Sequence, residues 1–314
     1  LNCFALPDGR PVFGGTYFRK FQWKQVLMNL ADTYHKTPHK MEQQANDIKE
    51  GVVHIQPMEN ITTIPEFQDK ELEERMETIQ RYMDHESGGI KGTPKFPMPV
   101  FYQFLLKYHF HTADKTILDH VIFTLKKMRE GGIYDHLGGG FARYSTDNKW
   151  MVPHFEKMLY DNAQLASLYS KAYLHTKEEH LKDTVIETLE FLQREMMSEK
   201  NLFYSSIDAD NEKGEGAYYT WTKENVEFIL PSTSRILNDY FGIQSEGNWD
   251  GNNVLALNMG IDALSEKYDI SNNRVKEIIH EGKQLLWEQR EKRSRPATDK
   301  KVITAWNALA IKAF

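Results

Sequence analysis

From Pro65 onward the chain reads as a train of amphipathic helices separated by long polar loops, and this pattern restricts the fold more than any other feature. Leu72, Met76, Ile79 and Met83 mark one apolar face, Phe101, Phe104, Leu105 and Tyr108 a second, and Ile117, Leu118, Val121, Ile122, Leu125 and Met128 a third. Two more follow, at Met158, Leu159, Leu165, Ala166, Tyr169 and Tyr173, then at Leu181, Val185, Leu189, Leu192 and Met196. Further helices are expected near Thr222 to Leu230 and Ser271 to Arg290, with Thr222 and Ser271 as N-caps. Helices that each bury one face stack in pairs, and periodicity alone does not choose between a line and a ring. Four loops, Gly131 to Val152, Phe203 to Trp221, Gly242 to Leu257 and Arg293 to Thr304, exceed the usual length in a compact domain. Long ordered loops of this kind tend to be functional, so chemistry is expected there.

The front of the chain differs. Leu1 to Leu6 and Pro11 to Phe18 flank the turn residues Pro7-Asp8-Gly9-Arg10, which predicts a hairpin. A helical pattern follows from Phe21 to about Val53, with Trp23, Val26, Leu27 and Leu30 on one face and Pro38 interrupting it. Gln56 to Pro65 carries no period and reads as a linker, giving domains at 1–55 and 66–314 around a linker at 56–65. A length of 314 residues accommodates two such domains. Both ends fall inside patterned elements, so an internal piece of a longer protein is expected.

Charge and cysteine content narrow the function classes. Lys and Arg number 39 against 45 Asp and Glu, a net charge of -6, which offers no general field for nucleic acid. No apolar run approaches the roughly 20 residues that span a bilayer, so no membrane partner is expected. Cys3 is the only cysteine, which rules out a disulfide within the chain and any thiol-rich metal site, and favours a reducing, cytoplasmic setting.

Candidate chemistry sits in four segments. Gly131 to Tyr144 combines glycines with Asp135, His136, Arg143 and Tyr144, an acid, a base, a fixed cation and a phenol. Its Gly138-Gly139-Gly140 run lacks the Lys and Ser/Thr that close a phosphate loop. In Trp150 to Asn162, Pro153 suits a first helical turn, which would place His154 and Glu156 at a helix entrance and keep the imidazole neutral. Asp208 and Asp210 begin like a calcium loop, but Lys213 and Tyr219 stand where glycine and glutamate are needed. These two aspartates could instead form an acid and base pair, with Tyr219 and Trp221 as stacking faces for a sugar ring. Arg293 to Asn307 supplies Lys300, Trp306 and Asn307 beside a basic turn. The expected catalytic set is His136, Arg143, His154, Glu156, Asp208 and Asp210. The expected ligand-binding set is Asp135, Tyr144, Tyr219, Trp221, Lys300, Trp306 and Asn307, with no metal and no cofactor.

Six segments carry a family resemblance: Asp8 to Phe18, Thr93-Pro94-Lys95-Phe96-Pro97, Gly132 to Tyr144, Val152 to Asn162, Asp208-Ala209-Asp210 and Asp299 to Asn307. Through them the chain resembles the thioredoxin-domain proteins of the spermatogenesis-associated protein 20 family. The resemblance implies the latter half of a thioredoxin-like domain followed by an incomplete (α/α)6 toroid, similar to N-acylglucosamine 2-epimerases and six-hairpin glycosidases. It further implies a sugar-like ligand, with His154 or His136 removing a proton α to a carbonyl while Arg143 steadies the enolate. The family's cysteine-containing segment would lie upstream, so Cys3 reads as a small strand hydrophobe. The alternative function is a redox or redox-regulated protein whose barrel only recognises a client.

Overall fold

The computed structural model describes residues 2–16, 18–55 and 69–314. The expected linker at 56–65 lies outside them. Two compact units divide the chain, Leu1–Leu72 and Glu73–Phe314.

The first unit holds an antiparallel hairpin, β1 (Asn2–Ala5) and β2 (Pro11–Gly15), paired through Phe4 and Phe13. Gly9 takes φ +91° at the turn, where a side chain would be strained. Two helices follow, α1 (Lys20–Lys36) and α2 (Pro38–Ile55), separated where Pro38 predicted a break. Val12, Met41 and Ala45 form a small core with Leu6, and Gln44 donates to the Val12 carbonyl at 2.8 Å. Trp23, Val26 and Leu30 lie half-buried on α1, whereas Leu27, expected on that face, is 43% exposed.

The rest is mainly helical. α3 (Asp69–Tyr82) carries Met76 into the core of the second unit. α4 (Pro99–Thr112) and α5 (Lys115–Glu130) form a hairpin closed by Ala113 and Asp114. Pro99 fits a first helical turn, and the Asp114 carboxylate caps α5 by accepting from the Thr116 amide at 2.9 Å. Three short strands then appear, β3 (Tyr144–Ser145), β4 (Pro153–His154) and β5 (Lys157–Met158), before α6 (Leu159–Thr176) and α7 (Glu179–Phe191) form a second hairpin. α7 ends in one wide π turn, Leu192–Met196.

Next come β6 (Ser206–Ile207), the pair β7 (Asp210–Asn211) and β8 (Gly214–Glu215), and four helices, α8 (Lys223–Ile229), α9 (Ser234–Phe241), α10 (Ile261–Tyr268) and α11 (Asn272–Arg290). Thr222 and Ser271 cap α8 and α11 as their positions predicted, accepting from Asn225 and Arg274 amides. β9 (Thr298–Asp299) and α12 (Thr304–Ala313) close the chain. α4 packs on α6, and α6 packs on α12, so helices from successive segments lie side by side as expected for an α/α toroid. One core gathers α3 to α6 around Tyr102, Leu125 and Tyr169, and another gathers α8 to α11 around Trp221, Leu237 and Leu286. No helix among the described residues is long and apolar enough to cross a membrane.

Candidate functional site

The segment from Pro153 to Met158 organises the site. It is extended, not the helical entrance its proline suggests, and α6 begins only at Leu159. Proline's fixed φ serves an extended edge as well as a first helical turn, so Pro153 does not discriminate. Three of the long loops are laced together by this segment: β4 pairs with β3, β5 with β6, and β6 in turn with β9. Side chains alternate in consequence. Pro153, Phe155 and Lys157 are buried, while His154, Glu156 and Met158 are half-buried on the other face.

On that second face, His154 Nδ1 lies 2.8 Å from Glu215 Oε1 and its Nε2 lies 3.6 Å from Glu156 Oε2. Without a helix dipole behind it, the imidazole is not held neutral. Its bond with Glu156 raises its pKa, Glu215 adds to this, and burial opposes it. Glu156 is correspondingly held low by His154 and by Arg143, whose Nη1 is 3.2 Å from Oε2. Asp208 forms no side-chain hydrogen bond or ion pair among the described residues. Burial pushes its pKa up, and the nearby charges of Asp210, Glu156 and Asp299 push the same way. Asp161, in the first turn of α6, is buried with Oδ2 unpartnered, and burial lifts it to about 7. Asp210 is exposed in the β7–β8 hairpin, so the acidic turn has a strand role and no calcium-loop geometry.

Several expected ligand contacts have other tasks. Tyr144 is occupied by its neighbours: Phe96 and His154 both pack on its ring with centroids 5.0 Å away. Trp221 is 1% exposed, and the Arg293 guanidinium covers it at 3.8 Å, while that same Arg293 donates to the Tyr218 and Thr220 carbonyls. The expected basic turn is therefore partly a buried brace. Asn307 is also structural, since its side chain accepts from the Phe203 amide at 2.8 Å and donates to the Phe203 and Ile303 carbonyls. Trp306 packs edge-on against Tyr160, and exposed Lys300 makes no hydrogen bond or ion pair among the described residues.

Beneath the strand segment lies a buried charged group. Asp135 Oδ2 meets Lys157 Nζ at 2.8 Å and Oδ1 meets Arg290 Nη1 at 2.7 Å. Burial would raise Asp135, but the Arg290 and Lys157 charges overcome this and hold it well below the carboxylate range. Asp135, Lys157, Tyr219 and Arg290 line both of two adjoining cavities. His136 is buried beside them with both nitrogens engaged, Nδ1 at 3.2 Å from Arg129 and Nε2 at 3.0 Å from the Gly131 carbonyl. A ring so occupied, with its pKa driven far down by burial, holds the loop and has no free lone pair for a substrate. The glycine run is a packing requirement: a Cβ at Gly138 would collide with Arg290, and one at Gly140, where φ is +78°, with Phe191.

Lys157, Asp161 and Arg290 are absent from the expected catalytic and ligand-binding sets. Arg290 had a signal, because it continues the buried stripe Val275, Ile279, Gly282, Leu286 at helical spacing. A charge on an apolar face needs a partner. Asp161 had none.

The fold and site define a protein of helical hairpins whose polar centre is built by the loops between them. No family model matches the chain. Over its full length it is 30% identical to spermatogenesis-associated protein 20 of Homo sapiens and 30% identical to that of Mus musculus, and spans 45% and 44% of their lengths. An uncharacterised Caenorhabditis elegans protein is 29% identical over 99% of the chain and 47% of its own length. The chain is a homologue of the spermatogenesis-associated protein 20 proteins. Among solved structures, a family 76 glycoside hydrolase from Bacteroides thetaiotaomicron aligns with 79% of the chain and 50% of its own at 16% identity and TM-score 0.40. A sugar epimerase from a ruminal bacterium aligns with 51% of the chain and 46% of its own at 14% identity and TM-score 0.39.

Proposed function

We propose that the helical unit is a carbohydrate-active or carbohydrate-binding barrel that takes a sugar-like ligand where His154, Glu156, Arg143 and Asp208 converge. The observation that carries this reading is the opposite displacement of two neighbouring carboxyl groups, Glu156 drawn down by His154 and by Arg143, whose Nη1 lies 3.2 Å away, and Asp208 pushed up by burial and by the charges of Asp210 and Glu156. Pairs separated in this way serve as general base and general acid, and together they suit proton transfer at sugar oxygens. The histidines do not fill the base role: His136 has no free nitrogen, and His154 is favoured as a cation that neutralises Glu156 and Glu215. Arg143 remains the positive contact for an oxyanion. In the same proposal the amino-terminal hairpin and helices are part of a thioredoxin-like domain, and the protein is cytoplasmic.

Thermal-shift screening of the intact protein against neutral, amino and acidic sugars tests the reading. At least one class should raise the melting temperature, and Glu156→Gln and Asp208→Asn should each abolish that response. A flat response across all three classes would refute it.

A further inference from the structure

We propose that the cavity walled by Asp135, Lys157, Arg194, Glu195, Arg290 and Arg295 binds the oxyanion of a phosphate- or carboxylate-bearing small molecule. The argument starts from Asp135, the anion already at its centre. Asp135 accepts from the Leu137 and Gly138 amides, each at 3.0 Å, as well as from Lys157 and Arg290, so its acceptor capacity is filled.

The cations around it are not filled. Arg290 is 2% exposed and carries five N–H donors, yet among the described residues only Nη1 has a hydrogen-bond acceptor, and its Nε is buried with no partner there. Lys157, 3% exposed, uses two of its three N–H groups, on Asp135 and the Gly139 carbonyl at 2.9 Å. Tyr219 stands on the same wall. A buried donor left without an acceptor is costly, and among the described residues the Arg290 Nε has none.

Charge points the same way. Four cations line this cavity against two carboxylates, and Glu195 is committed to Arg194 and Arg295. Adding Glu291, which pairs with Arg295 behind the wall, still leaves one cation in excess. A single bound oxyanion balances it and accepts the free Arg290 donors, for which a guanidinium fork is well shaped. The cavity volume of about 50 Å³ suits such a headgroup, with the remainder of the ligand leaving through the opening. This site lies on the Lys157 face of the strand segment and does not depend on the sugar reading of the opposite face.

Titration calorimetry of the intact protein with inorganic phosphate and, separately, acetate, at ionic strength held constant with sodium chloride, tests the proposal and distinguishes the two sources. One of the two should bind saturably. Arg290→Lys, which keeps the charge and loses the fork, should weaken that binding at least about tenfold. Arg295→Gln leaves the Asp135–Arg290 pair intact and should also weaken it, which covers the case in which Arg290→Lys fails to fold. No saturable binding of either probe, or binding undiminished in both the Arg290 and Arg295 variants, would overturn the assignment.

Discussion

Replacing Asp161 with asparagine should stabilise the helical unit near neutral pH and leave it little changed in acid. Asp161 is 8% exposed, its Oδ2 has no partner, and burial lifts its pKa from 3.8 to about 7, with Glu156 adding to the rise and Arg143 opposing it. Because the folded value lies above the unfolded one, the folded state binds the proton more tightly. The carboxyl is therefore tolerated below about pH 4 and costs progressively more as the pH climbs to about 7. Three pKa units at about 1.36 kcal/mol each give a ceiling near 4 kcal/mol. Water and local relaxation reduce this, and about 2 kcal/mol is the working expectation. Asparagine keeps an unpartnered polar atom, so the test is the pH dependence and not a single stability value. Urea unfolding of wild type and Asp161→Asn between about pH 4 and pH 7.5 should give curves that diverge as pH rises, with the variant higher. Parallel curves would refute the claim that an uncompensated carboxylate is being forced into the core.

His120 should produce the opposite slope. Burial, with His85 contributing, lowers its pKa from 6.5 to about 4, so stability is full above about pH 6.5 and is lost as pH falls toward 4. His120→Leu should remove up to about 3 kcal/mol of that acid-limb loss in the same urea titration. Asn307→Ala should cost about 3 kcal/mol in unfolding free energy, because it strands the buried Phe203 amide and carbonyl that tie α12 to the loop after α7. It should leave any sugar-induced melting shift in place, and loss of that shift in a folded variant would restore Asn307 to the ligand-binding set.

The long helices were legible because each repeats an apolar face over several turns. Thr222 and Ser271 marked real starts because their side chains reach the third following amide. α9 and α10 went unnoticed: eight residues each provide too few turns for the period to stand out from the loop around them. The error at Pro153 has a different source. A strand of two residues has no detectable period of its own, and its existence depends on pairing with Tyr144 and Ser145 across the intervening turn. Loops flagged by length did converge on the site, but individual roles were not readable from residue type. His136 and Asn307 look reactive by composition and are consumed by structural hydrogen bonds, whereas Arg290 looks like an ordinary helix-end cation and lines the cavity.

The alternation from Pro153 to Met158 also limits how this region can change over evolutionary time. Loops normally absorb insertions and deletions, yet one residue gained or lost between the β4 and β5 pairings would turn every following side chain to the opposite face. Lys157 would leave Asp135, and a neighbour would enter its place carrying the wrong charge or none. Length changes in homologues should accordingly be paired or absent here.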